Sequence, residues 1–176
     1  IIDRSRTRVL AFLNIVGHGM RGGKYEQDLA DMEAKPSAEM ALKHKDVIVG
    51  IKTAHYSGPE WAPIERSVEA GTIAKIPIMV DFGRASAERS MAEAVTRKLR
   101  KGDIYTHVYS GLRAELDAST GRLNPALYEG RKRGVIFDAG HGGGSFLFRQ
   151  AVPALKQGFP PDVISTDLHT GSQNSG

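Results

Sequence analysis

Short apolar runs alternate with amphipathic stretches along nearly the whole chain, and this alternation constrains the fold more than any single residue. "TRVLAFLNIV", "DVIVGI", "IPIMVD", "DIYTHVY", "GVIFDAG" and "DVIST" read as six strands. Between them lie five helices: "SAEMALKHK", with Ser37 as its cap after Pro36; "PEWAPIERSVEAGTIA", opened by proline; "SAERSMAEAVTRKL"; "NPALYEGRKR"; and "SFLFRQAVPALKQ". Asn124 caps the fourth with Pro125 in its first turn, and Pro153 is expected to interrupt the fifth. The order is strand then helix, five times over, then a last strand. Short apolar strands each followed by a covering helix indicate a parallel sheet of βα units.

Every strand runs out into polar or glycine-rich residues. The ends are Gly17-His18, Lys52, Asp81, His107, Asp138 to His141, and Asp167. In βα folds the chemistry collects at the carboxyl ends of the strands. An open doubly wound sheet would show one glycine-rich phosphate loop, whereas here the polar ends recur on nearly every strand, as the mouth of a barrel requires. A (β/α)8 TIM-type barrel has eight strands. The expected fold is therefore α/β, a partial barrel over residues 1–176 covering about strands three to eight, with two strands missing in front and a closing helix behind.

Composition narrows the chemistry. The 176 residues suffice for one domain with a core. There is no cysteine, which excludes a disulfide framework, thiolate zinc ligands and a thiol nucleophile. No apolar run reaches the ~20 residues of a membrane span, and no leader-like segment opens the sequence. The net charge of +4 is scattered. Its one basic run, "EGRKRGV", closes a helix at Arg131 to Arg133, where cations suit the carbonyl end, and no aromatics interleave it as in a nucleic-acid surface. The expectation is a cytoplasmic protein with neither nucleic acid nor membrane as partner. Homo-oligomerisation is left open.

Lys52 is the odd residue, an amine directly after a core strand. It can snorkel to solvent. It can act as a Schiff-base or general-base amine. Or carbon dioxide can carbamylate it, turning a cation into a carboxylate that bridges two metals. His107 and Asp167 are metal-ligand types at other strand ends, suited to Zn²⁺. Two dications about 3.5–4 Å apart can share a bridging hydroxide, a nucleophile at neutral pH. An ammonium would repel such ions; a carbamate would attract them.

With these residues together, "VIVGIKTAHYSG", "IPIMVDFG", "GDIYTHVYSG", "IFDAGHGGGSF" and "PDVISTDLHTGS" resemble the amidohydrolase superfamily. Within it they resemble the amidohydrolase/deacetylase group often labelled dihydroorotase-like. The resemblance runs from about Val9 over nearly the whole chain. It implies that Lys52 is a carbamylated strand-four lysine and His107 the strand-six metal histidine. It also implies that Asp167 is the strand-eight aspartate, a metal ligand and proton acceptor, and that the "GHGGG" segment with His141 faces substrate. Two departures stand out. The strand-one His-x-His pair is not in this sequence, and Asp81 stands where the strand-five ligand is normally histidine; Asp81 is expected to ligate in its stead.

Other candidates have plainer readings beside them. His55 would touch substrate or metal-bound water, or be an ordinary loop histidine. Gly142 and Gly143 would let the backbone approach substrate, or supply positive φ before the helix. Asp138 would orient His141 or cap a turn. His18 would line the pocket or be an ordinary loop histidine, His169 would support the metal ligands from behind or lie exposed, and His44 is read as a surface residue. The implied function is a metal-dependent hydrolase of an amide or ester, deacetylase-type, on a small molecule. A dihydroorotase-like cyclic amidohydrolase is the alternative. A non-catalytic barrel that has lost its metal centre and a Schiff-base aldolase come from other classes.

Overall fold

The computed structural model describes residues 2–169. Strands β1 (Ala11–Asn14), β2 (Ile48–Thr53), β3 (Ile78–Val80), β4 (Ile104–Tyr105) and β5 (Ile136–Phe137) form one sheet in chain order, and every neighbouring pair is parallel. The connections carry helices α1 (Ala34–Lys43), α2 (Ala62–Ala74), α3 (Met91–Glu93, continuing as a π-helical turn over Ala94–Lys98), α4 (Pro125–Arg133) and α5 (Phe148–Lys156).

The register divides the sheet into two faces. Thr53, Val80, Tyr105 and Phe137 form one row and are buried. With Ile51 and Ile78 they make the core against α2 (Ile64, Ala70), α4 (Leu127) and α5 (Ala151, Ala154). Aromatic rings continue this layer, Phe82 to Tyr105 to Phe137 to Phe159, with centroids 6.3, 5.9 and 5.1 Å apart. The alternate row, Asn14, Lys52, Met79, Ile104 and Ile136, lies on the opposite face and is only half-buried. Lys52 therefore does not share the face that packs on the helices. Asp103 ties the amino ends of β3 and β4 together: its Oδ1 accepts from the Ile78 N–H at 2.9 Å, and its carboxylate is gripped by the Arg100 guanidinium at 2.8 and 3.0 Å.

Several local expectations change. "DVIST" does not form a sixth strand. It runs parallel to β5 with one bridge, Asp138 to Val163, because Pro160 and Pro161 precede it and Val163 and Ile164 are exposed. It is still fixed in register: Ala139, His141 and Gly142 donate to Val163, Ser165 and Thr166 at 2.9, 3.0 and 3.0 Å. Ser37 is not a cap. The first helix begins earlier, at Ala34, with Glu33 at the cap position, and Pro36 falls in its first turn, where a missing N–H costs nothing. The second helix starts at Ala62, so Pro63 rather than Pro59 opens it. Pro153 lies inside α5 without ending it. Asn124 caps α4 as expected, its side chain accepting from the Ala126 N–H, and Arg131 to Arg133 occupy the last turn.

Candidate active site

The segments that leave the carboxyl ends of the five strands meet above the sheet. Three residues there adopt left-handed backbone: His55 (φ 58°), His107 (φ 59°) and Asp167 (φ 47°). Non-glycine residues seldom occupy this region, and such conformations cluster where function over-determines the backbone. Each turns its chain sharply just where it carries a polar side chain.

Asp81 is the hub. It follows β3 directly and is buried (8 % exposed). Its Oδ1 accepts from the Arg113 guanidinium at 3.1 Å. Its Oδ2 faces two imidazoles, His55 Nε2 at 3.2 Å and His107 Nε2 at 3.4 Å. Beyond His107, Asp167 Oδ2 stands 4.0 Å from the same Nε2. Burial alone would raise the Asp81 carboxyl, but the hydrogen bonds from His107 and His55 and the charges of His107 and Arg113 hold it far below the usual carboxylate range. Its hydrogen bond with His55 pushes that imidazole up to about 9. Burial pulls His107 down, yet Asp81 more than offsets this and His107 ends above its ordinary value.

The other ring nitrogens are taken. His107 Nδ1 lies 2.6 Å from the Gly140 carbonyl, and His55 Nδ1 lies 2.7 Å from Glu26 Oε2. Both partners are acceptors, so each Nδ1 carries the hydrogen and each Nε2 is turned toward Asp81. Arg113, buried, clamps the frame: Nε donates to the Gly83 carbonyl at 2.6 Å, and Nη1 donates to the Thr106 and His107 carbonyls at 3.2 and 3.1 Å. Asp138 does not orient His141. Its carboxylate accepts from Thr106 Oγ1 (2.7 Å), Ser165 Oγ (2.8 Å) and the Ser165 N–H (3.2 Å), tying β4 and β5 to the last segment.

Lys52 lies on the half-buried face in register with Asn14 and Met79. By strand alternation Asp81 is on that face too, two residues beyond Met79 and so roughly 7 Å further along. The Lys52 ammonium has no hydrogen bond or ion pair among the described residues. Beside it, Asn14 Oδ1 accepts from the Val16 N–H at 2.9 Å, while Asn14 Nδ2 is buried without a partner.

His141 is exposed and lines an apolar cavity of about 510 Å³ with Tyr109, Gly142, Phe146, Phe148 and Ile164. Two glycines of "DAGHGGG" are sterically required. A Cβ on Gly142 (φ 39°) would stand 2.7 Å from Asp167 Oδ2, and one on Gly140 (φ 47°) would stand 2.7 Å from His107 Nδ1 and overlap Thr106 Oγ1. Gly140→Ala is therefore expected to destabilise the protein by about 2–4 kcal/mol, from strain plus overpacking, measurable as a lowered denaturation midpoint. Gly143 is exposed. His18 and His44 lie away from this cluster: the ring of His18 packs edge-on to Tyr25 at 5.1 Å, and His44 is exposed. His169 is also exposed.

No protein-family profile matches the chain. It is 31 % identical over 181 residues to a deacetylase of Agrobacterium fabrum (Atu3266) and 31 % identical to one of Brucella anthropi, covering 99 % of this chain and 44 % of each relative. Among solved structures, one described as an adenine deaminase superposes with a TM-score of 0.88 at 27 % identity, covering 99 % of this chain and 48 % of that one. Another, described as a dihydroorotase, gives a TM-score of 0.78 at 30 % identity, over 99 % of this chain and 46 % of that one. The chain belongs to the amidohydrolase superfamily. Its five parallel strands correspond to about half of an amidohydrolase barrel domain, and it spans about half the length of the curated relatives it matches.

Amidohydrolases typically depend on a metal, and the donors here suit a divalent cation in kind: carboxylate oxygens and imidazoles whose Nδ1–H is already engaged. Among the described residues, no three His, Cys, Asp or Glu side chains form a closed metal-binding group. The spacing nevertheless agrees with one that a cation would draw together. Donors 2.0–2.1 Å from a tetrahedral ion stand about 3.3 Å apart, and Asp81 Oδ2 lies 3.2 and 3.4 Å from the two Nε2 atoms.

Proposed function

We propose that the chain carries the metal- and substrate-binding part of a metal-dependent hydrolase that removes an acyl group, deacetylase-type, from an amide or ester of a small molecule. The observation that carries this reading is the convergence of Asp81, His107 and Asp167 at the strand ends of a chain homologous to deacetylases. Lys52, Asp81, His107 and Asp167 would hold one or two divalent ions, Zn²⁺ by donor type, with Lys52 as its carbamate formed with carbon dioxide. The unpartnered Asn14 Nδ2 supports the carbamate, since an added oxygen on Lys52 would give that buried donor an acceptor. When bound, the metal supplies a polarised carbonyl and a water acidic enough to attack at neutral pH.

The protein's own residues do the rest. Asp167, about a third exposed, takes the proton of the attacking water and passes it to the leaving group. Arg113 holds Asp81 Oδ1 so that Oδ2 stays aimed at the imidazoles. The apolar cavity beside Asp167 takes the substrate's non-reacting part, with His141 at its edge and Gly142 offering backbone to it. In this reading the segment forms strands three to eight of a (β/α)8 barrel, with the last of these reduced to a single bridge. Cyclic-amide hydrolysis is the second reading, favoured by the 30 % identity to a dihydroorotase. Assaying the zinc-loaded full-length protein on N-acetyl and O-acetyl compounds and on cyclic amides tests both. Turnover confined to acyl substrates supports the first, turnover confined to cyclic amides the second, and no metal and no turnover indicates a non-catalytic barrel.

A further inference from the structure

We propose that His55, held from behind by the buried Glu26 carboxylate, is a ligand of the metal centre and gives it a second imidazole nitrogen beside that of His107. The inference rests on the metal-hydrolase reading above and deepens it. Glu26 comes from the turn after β1, His55 from the loop after β2, and Asp81 follows β3, so three consecutive strand ends contribute one line of contacts. Glu26 is 2 % exposed, and His55 Nδ1 at 2.7 Å is the only side-chain partner of its carboxylate among the described residues. A buried carboxylate spent on one imidazole is the arrangement that fixes the tautomer and aim of a metal-binding histidine.

The loop around His55 is built to keep that aim. The residue sits at φ 58°, and Gln27 donates to its carbonyl at 2.9 Å while accepting from the Ser57 N–H and Oγ at 2.9 Å each. With Nδ1 engaged by Glu26, Nε2 is the nitrogen left to bind a metal. It points at Asp81 Oδ2, 3.2 Å away, on the oxygen that His107 Nε2 also faces and that Arg113 leaves free. An ordinary half-exposed ion pair contributes roughly 0–1 kcal/mol and requires neither a left-handed backbone nor a buried glutamate. A ligand and its orienting carboxylate account for both.

The test is Co²⁺ titration of the full-length apo-protein, read by its visible absorption, with His55→Gly, His55→Gln and Glu26→Gln. The wild type is expected to bind Co²⁺. Glu26→Gln should weaken binding by about 10–100-fold. Both His55 variants should weaken it further and shift the absorption bands, and free imidazole should restore the bands in His55→Gly. Circular dichroism confirms folding, and should His55→Gly fail to fold, His55→Gln gives the same reading. Wild-type affinity and an unchanged spectrum in a folded His55 variant would overturn the assignment while leaving the metal-hydrolase reading intact. Unaltered binding in Glu26→Gln would overturn the part given to Glu26. A wild type that binds no Co²⁺ would overturn both the assignment and the reading beneath it.

Discussion

Asp167→Asn in the full-length protein is expected to lower turnover by ~10²–10⁴-fold while leaving the fold intact, the range set by loss of a general base. The amide keeps the shape of the side chain but loses the charge that would bind metal and the site that accepts the proton. Stability should change little for reasons visible in the structure. Asp167 is about a third exposed, and its nearest charged partner, His107 Nε2, is 4.0 Å away. Its left-handed backbone is one that asparagine tolerates well. Steady-state rates with an equal thermal midpoint check the claim. A variant retaining more than about a tenth of the normal rate would be incompatible with the proton-transfer role.

Lys52→Ala is expected to lose metal and activity together. On the half-buried face its ammonium has no polar partner among the described residues, so truncation breaks no ion pair in the fold. Under the carbamate reading it removes a residue that would hold the metal. Short carboxylates such as acetate should partly restore both metal content and rate by occupying the vacated position. Carbon-13 NMR of the zinc-loaded wild type in labelled bicarbonate should show a carbamate resonance that Lys52→Ala lacks. A free amine at Lys52 with metal present would refute this role.

How far the sequence reached depended on where the information lay. Asp81 and His107 were legible because each stands at the end of an apolar run, where βα geometry gathers chemistry, and the structure brings them within 3.4 Å. Asp167 stands out as a candidate for the same reason, although its segment pairs through a single bridge, since "DVIST" has strand composition but two prolines ahead of it and an exposed flank. Glu26 and Arg113 were not legible. "GKYEQD" and "SGLRAELD" read as polar loops, and only folding buries Glu26 of the first and Arg113 of the second beside partners far along the chain. The glycines of "DAGHGGG" suggested close approach, but that Gly140 and Gly142 meet His107 and Asp167 depends on tertiary packing. The left-handed backbone at His55, His107 and Asp167 has no signal in composition at all.

The most direct test of the metal centre is zinc anomalous scattering from crystals of the zinc-loaded full-length protein. The account predicts a peak within about 2.0–2.2 Å of Asp81 and His107 side-chain donors, at the carboxyl ends of β3 and β4. Zinc bound only elsewhere, or no zinc peak with Asp81 still paired directly to His55 and His107, would contradict it.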